Sequence, residues 1–165
     1  MSYGHVYVAS VAYGAKDAQT VRAFAEAESF AGPSLIIAYS HCIAHGYDLA
    51  QGPHQQKLAV DSGVWPLFRF DPRRIARGEP PLVLDATPGK AKVSDYMAGE
   101  GRFRAVERLD EQHYRELCAR AEREVSHRIE LYAQLSHLKL SASQTAAPSG
   151  PATAAVSKNL AATRL

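Results

Sequence analysis

The segment Ser40-His41-Cys42-Ile43-Ala44-His45-Gly46 sets a thiol and two imidazoles within five residues, His41 to His45. Thiolate and imidazole are the ligands that suit zinc and iron–sulfur iron. A structural zinc needs four ligands, and no second Cys/His pair at a suitable spacing follows. His54 is near in sequence, while Cys118 falls on a helical stripe far downstream. A nucleophilic Cys42 assisted by His41 or His45 is a further chemistry these residue types allow, because a basic neighbour favours the thiolate. Sequence neighbours rarely make the geometry that role needs. The plainest alternative has Cys42 packing as a small buried residue and the histidines as polar groups of a loop. Elsewhere the chain carries no GxGxxG, Walker or G-x-S-x-G pattern. Arg102, Arg104, Arg108, Arg120, Arg123 and Arg128 alternate with acids and read as a solvated helix face. Trp65, Phe68 and Phe70 read as sheet packing, and Cys118 as core.

The elements that must position this segment follow from its surroundings. Residues 5–13 (HVYVASVAY) are rich in Val and Tyr and predict a strand ending at Gly14. Asp17 is a suitable N-cap for a helix over 18–30, with Val21, Phe24 and Ala25 at helical spacing. Gly32-Pro33 stops it. Ser34-Leu35-Ile36-Ile37-Ala38-Tyr39 is apolar at both alternating positions, the pattern of a strand covered on two faces. Strand, helix and strand with tight connections make a βαβ unit, hence parallel pairing and a right-handed crossover. The Cys42 segment is therefore a loop at the carboxyl end of a strand, where ligands gather in open α/β sheets.

Farther on, residues 53–62 predict a short helix with Pro53 in its first turn. Residues 65–70 predict a third strand, pushed toward a sheet edge by Pro66. Residues 73–92 read as a Pro- and Gly-rich surface excursion with a short extended piece at Leu82-Val83-Leu84. Helical character returns at Val93. Residues 110–138 carry the longest stripe: Tyr114, Leu117, Cys118, Ala121, Val125, Ile129, Tyr132 and Leu135, with Glu116/Arg120 and Glu124/Arg128 as i,i+4 pairs on the wet face. Residues 141–165 are Ala, Ser, Thr, Pro and Gly with scarcely a bulky side chain, and are expected to be disordered.

Composition narrows the partners. Of 165 residues, 46% are hydrophobic and 22% charged, as in globular proteins. Nineteen Lys and Arg against 17 Asp and Glu leave +2, too little to call for a nucleic acid or an anionic membrane. The longest strongly apolar run, residues 35–39, is far too short to span a bilayer. Two cysteines make no disulfide framework and no secretion signal opens the chain, so a soluble, cytoplasmic protein is expected. Three strands, one reading as buried on both faces, are too few for an open parallel sheet standing alone.

Residues 33–46 (PSLIIAYSHCIAHG) resemble a segment of the pyruvate:ferredoxin (flavodoxin) oxidoreductases. Residues 55–63 (QQKLAVDSG), 65–72 (WPLFRFDP) and the opening 7–12 (YVASVA) resemble the same family in the same order, so the likeness covers about residues 3–138. It implies an incomplete thiamine diphosphate-binding fold: residues 1–72 as the C-terminal part of that α/β domain, 73–92 as the surface excursion, 93–140 as a helical extension and 141–165 as the tail. It further implies oxidative decarboxylation of pyruvate to acetyl-CoA and carbon dioxide in the complete enzyme, with electrons leaving through iron–sulfur clusters to ferredoxin or flavodoxin. Thiamine diphosphate with magnesium, coenzyme A and a homodimer come with the family. In the motif Ala-Tyr-x-x-Cys-Ile, the resemblance makes Cys42 the last ligand of the thiamine-proximal 4Fe-4S cluster. The family's three companion cysteines and its magnesium–diphosphate motif have no counterpart here, so the isolated chain is expected to be inactive. The competing expectation is a small non-catalytic metal-binding or interaction module using His41, Cys42 and His45.

Overall fold

The computed structural model describes residue 1 and residues 4–140; the tail expected to be disordered lies outside the described residues. Four strands, β1 (Tyr7–Val11), β2 (Ser34–Ala38), β3 (Phe68–Phe70) and β4 (Leu82–Leu84), form one sheet in the order β2-β1-β3-β4. Six helices accompany them: α1 (Asp17–Glu28), α2 (Gly52–Asp61), α3 (Arg73–Ala76), α4 (Val93–Ala98), α5 (Gly101–Leu109) and α6 (Glu111–His137). The α/β class and the long C-terminal helix are as the sequence predicts. β1, α1 and β2 form the expected βαβ unit, with β2 parallel to β1 and Val8 opposite Leu35.

The rest of the sheet departs from an open parallel one. β3 pairs antiparallel with β1, and β4 antiparallel with β3, so the sheet is mixed. Pro66 does not push β3 to an edge, because the strand begins two residues later and lies between β1 and β4. The extended piece inside the Pro/Gly-rich stretch is a genuine fourth strand. The largest correction concerns β2. Its sequence reads as covered on both faces, yet it lies at the sheet edge with Leu35 52% and Ile37 41% exposed.

α1 crosses one face of β1 and β2, closing a core of Tyr7, Ala9, Val11 and Ala23. It begins at Asp17 with Lys16 as N-cap, and it buries Gln19, Thr20 and Ala23 rather than the Val21/Phe24 stripe read from periodicity. A polar pull explains the rotation: Gln19 hydrogen-bonds Asp85, and Glu26 pairs with Arg69, so the helix turns its polar residues toward β3. On the opposite face α6 brings Tyr132 and Leu135 onto Val8, Phe68, Phe70 and Leu82. Its N-terminal half packs Tyr114, Cys118 and Ala121 with Val93, Tyr96 and Met97 of α4, Cys118 lying 3.9 Å from the Met97 sulfur. The predicted stripe holds apart from Leu117, which is exposed. The predicted ion pairs shift register. Arg120 pairs with Glu124, and Arg128 donates instead to the carbonyls of Gly63 and Val64.

The turn after β3 carries a pH dependence. Burial alone raises the Asp71 carboxyl, but hydrogen bonds from the Arg73 side chain and backbone outweigh it and hold the group below its ordinary value. A carboxyl depressed in the folded state adds stability that is present above the unfolded value of about 3.9 and is lost as pH falls through the folded value. Asp71→Asn is therefore expected to destabilise the chain more at about pH 6 than at about pH 2. Urea unfolding of both proteins across that window is the check, and a gap that stays constant with pH would remove Asp71 as its source.

Candidate functional site

Parallel pairing of β1 and β2 sends the loops that follow them, 12–16 and 39–51, to the same end of the sheet. β2 runs into Tyr39, whose amide still bonds to the Val11 carbonyl, so the loop departs from a fixed point. Cys42 is extended and exposed, and its carbonyl accepts the His45 amide to start a single 3-10 turn over Ile43–His45. Gly46 ends that turn at φ 76°, a left-handed conformation that glycine adopts without strain. The Gly101 amide donates to the Gly46 carbonyl at 3.1 Å. A Cβ on Gly46 would stand 2.9 Å from the Gly101 Cα, so both residues must lack a side chain for the loop to meet the start of α5 this closely.

Beneath the loop lies a buried carboxylate. Glu100, fully buried, accepts from Gln55 Nε2 at 3.1 Å and from Arg102 Nε at 2.5 Å. Tyr39 and Tyr96 share a hydroxyl–hydroxyl bond of 3.1 Å beside it, and Arg102 also donates to Tyr96. Burial is the main reason that the Tyr39 and Tyr96 hydroxyls are driven up from their ordinary values, with Glu100 adding to it. Both tyrosines therefore stay neutral donors at physiological pH. Glu100 thus ties the end of β2 to α2, α4 and α5, which makes the base of the Cys42 loop rigid while its tip faces solvent.

Of the two histidines, His45 is half-buried, while His41 is exposed but held by neighbouring side chains. His41 Nδ1 lies 3.2 Å from the Tyr47 hydroxyl, and its Nε2 lies 3.4 Å from Gln56 Nε2. The ring packs over Gly52, where a Cβ would come within 2.4 Å of it. Gln56 in turn accepts the Gly14 amide at 2.7 Å, joining the two strand-end loops. His45 turns its Nδ1 toward Glu100, 3.9 Å away. Among the described residues no three His, Cys, Asp or Glu side chains come together as a metal site. Cys42 is thus a single exposed thiol, where a four-iron cluster would need four thiolates. His54 and Cys118 do not join the group: Cys118 lies in the α6 core, as the sequence predicts.

Sequence reasoning missed Glu100, Gln55 and Gln56. The one available signal was Gly99-Glu100-Gly101-Arg102, an acid between two glycines, a composition that marks a close backbone approach. Trp65 is also part of the support. It stacks edge-on against Tyr39 at 5.3 Å and donates to the Val11 carbonyl, which is packing as expected.

No protein-family model matches the chain. Individual proteins do. It is 56% identical over 136 residues, 82% of its length, to a pyruvate-flavodoxin oxidoreductase of Rhodospirillum rubrum, of which those residues are 11%. Over 136 residues it is also 43% identical to a probable pyruvate-flavodoxin oxidoreductase of Escherichia coli and 41% identical to the pyruvate:ferredoxin oxidoreductase of Moorella thermoacetica, covering 12% of each. The chain thus spans about a ninth of the length of these relatives. At such identities, along most of its sequence, this chain is homologous to one segment of the pyruvate-flavodoxin and pyruvate:ferredoxin oxidoreductases.

Proposed function

We propose that this chain works as the C-terminal part of the thiamine diphosphate domain of a pyruvate:ferredoxin or flavodoxin oxidoreductase, and that Cys42 is one ligand of its thiamine-proximal 4Fe-4S cluster. On this reading residues 1–72 complete that domain, while 93–140 buttress it as a helical extension. The observation that carries the reading is the homology of 136 residues to those enzymes, joined to an exposed thiol on a loop braced at its base. In the complete enzyme the cluster supplies one-electron transfer from the thiamine-bound substrate toward ferredoxin or flavodoxin. The chain's own share is positional. Tyr39, Gly46 and the Glu100 carboxylate fix the loop that presents Cys42, and so set where its sulfur stands. Cys42 acts neither as acid, base nor nucleophile.

A small independent metal-binding module of His41, Cys42 and His45 is less well supported, because the His41 imidazole is already engaged by Tyr47 and Gln56 and the His45 Nδ1 is turned toward Glu100. The two readings differ in one experiment. Reconstituted anaerobically with iron and sulfide, the isolated 165-residue chain is expected to hold no stable four-iron cluster and to show no pyruvate-dependent reduction of an acceptor. Stoichiometric four-iron binding by a monomer would overturn the division of ligands between this chain and the rest of the enzyme.

A further inference from the structure

The sequence and the fold disagree about β2, and the disagreement points outward. Ser34-Leu35-Ile36-Ile37-Ala38 has the two-sided apolar pattern of an interior strand. Yet β2 ends the sheet, with α1 reaching one face, where Ile36 is half-buried, and with Leu35 and Ile37 exposed on the other. The ladder to β1 uses Pro33 and Tyr39, since the Tyr7 amide donates to Pro33 and the Tyr39 amide to Val11. By the alternation of a parallel ladder, the odd-numbered residues of β2 face β1, and the amides and carbonyls of Ser34, Ile36 and Ala38 face away from the sheet. Leu35 and Ile37 continue the apolar face of Val8, but α6 covers only the Val8, Phe68 and Leu82 end of it. On the other face Phe24, 55% exposed, lies on the flank of α1 away from the Glu26–Arg69 pair, beside β2. The opposite edge of the sheet differs: β4 has three residues, and α6 packs against it.

A long, apolar, uncovered edge is what soluble proteins avoid. Nearly nine-tenths of the Rhodospirillum rubrum relative lies outside the match, so the polypeptide able to cover such an edge exists in the homologous enzyme. The exposed Cys42 lies just beyond the carboxyl end of this strand. Whatever supplies its companion ligands must approach the same corner.

We infer that the free edge of β2 is an interface, on which Ser34, Ile36 and Ala38 pair with a β-strand from the oxidoreductase polypeptide outside the aligned segment, with Leu35, Ile37 and Phe24 covered by the layers flanking that strand. This rests on the oxidoreductase reading but does not require Cys42 to be a ligand.

The test is association of the 165-residue chain with the remainder of the enzyme, produced separately without this segment. The double variant Leu35→Lys/Ile37→Lys places two charges where the isolated fold leaves room, so the variant is expected to fold. It is expected to weaken association by at least about a hundredfold. Leu109→Lys, at a site 87% exposed on α5, is expected to leave association unchanged. Ile36→Pro removes an outward N–H, which an edge strand tolerates and an interior strand does not, and trims a half-buried side chain from the core under α1; it should fail to associate while keeping its far-ultraviolet spectrum. Hydrogen exchange supplies a second readout in the complete enzyme, where the Ile36 and Ala38 amides should be protected and in the isolated chain should exchange freely. Tight association that ignores the lysines, or equal exchange in both states, overturns the edge pairing alone. Protection already present in the isolated chain, with a dimeric mass, makes the occupant a second copy and overturns it as well. If the unaltered chain does not bind the remainder at all, the oxidoreductase reading fails and the edge pairing falls with it.

Discussion

Replacing Cys42 by alanine in a complete oxidoreductase that carries this segment is expected to remove about four irons per active site and leave the other clusters intact. Pyruvate-dependent reduction of ferredoxin or flavodoxin should fall by more than about a hundredfold, since loss of an outer-shell partner alone costs ten- to a hundredfold at a metal site. The fold should survive. Cys42 is exposed, belongs to none of the buried clusters, and its backbone role as cap of the 3-10 turn does not depend on the side chain. A serine in its place separates ligation from shape, because the hydroxyl fills the same volume but is a poor partner for iron–sulfur iron. Iron analysis with low-temperature electron paramagnetic resonance decides the matter. Unchanged iron content and unchanged spectra in Cys42→Ala would remove the residue from its proposed role, whatever happened to turnover.

The βαβ unit was legible because strand and helix periods alternate cleanly there and Gly32-Pro33 marks the boundary. The loop that presents Cys42 followed from that unit and a topological rule. What supports the loop was hidden, for a physical reason. Glu100 reaches it from 61 residues away, accepting hydrogen bonds from Tyr39 and Gln55 that no local pattern encodes. The same holds for α1, whose orientation is set by polar partners on β3 and after β4 rather than by its apolar stripe. Periodicity predicts a buried face only when hydrophobic contact decides the rotation. For β2 the sequence pattern and the observed exposure differ in a way that a covering strand reconciles, so there the pattern describes the assembled enzyme better than the segment.

The polar partners that turn α1 also make its support vulnerable at one side chain. Arg69, on β3, has its side chain 11% exposed and joins three elements. It donates Nε and Nη2 to Asp85 at 2.8 and 2.7 Å and pairs with Glu26 of α1. Asp85 receives Gln19 Nε2 at 2.9 Å as well, and its carbonyl receives Lys16 Nζ at 2.5 Å. The hydrogen bonds it donates to Asp85 are the foremost reason that the Arg69 guanidinium is held above its ordinary value, against a burial penalty that works the other way. Arg69→Met keeps most of the volume but strands the Asp85 carboxylate, 7% exposed, with a neutral amide as its remaining side-chain partner. Breaking one side of a buried pair costs about 3–5 kcal/mol, because the surviving charge keeps its desolvation penalty and loses its compensation. Lysine should rescue little, since one ammonium cannot make the two-pronged contact to Asp85 and reach Glu26 together. Adding Asp85→Leu to Arg69→Met should recover a large part of the loss, as removing both members of a buried pair is often close to neutral. Urea unfolding of the single and double variants measures this directly. Equal stability of Arg69→Met and the unaltered chain would mean that the network is dispensable and that α1 is held by its apolar contacts alone.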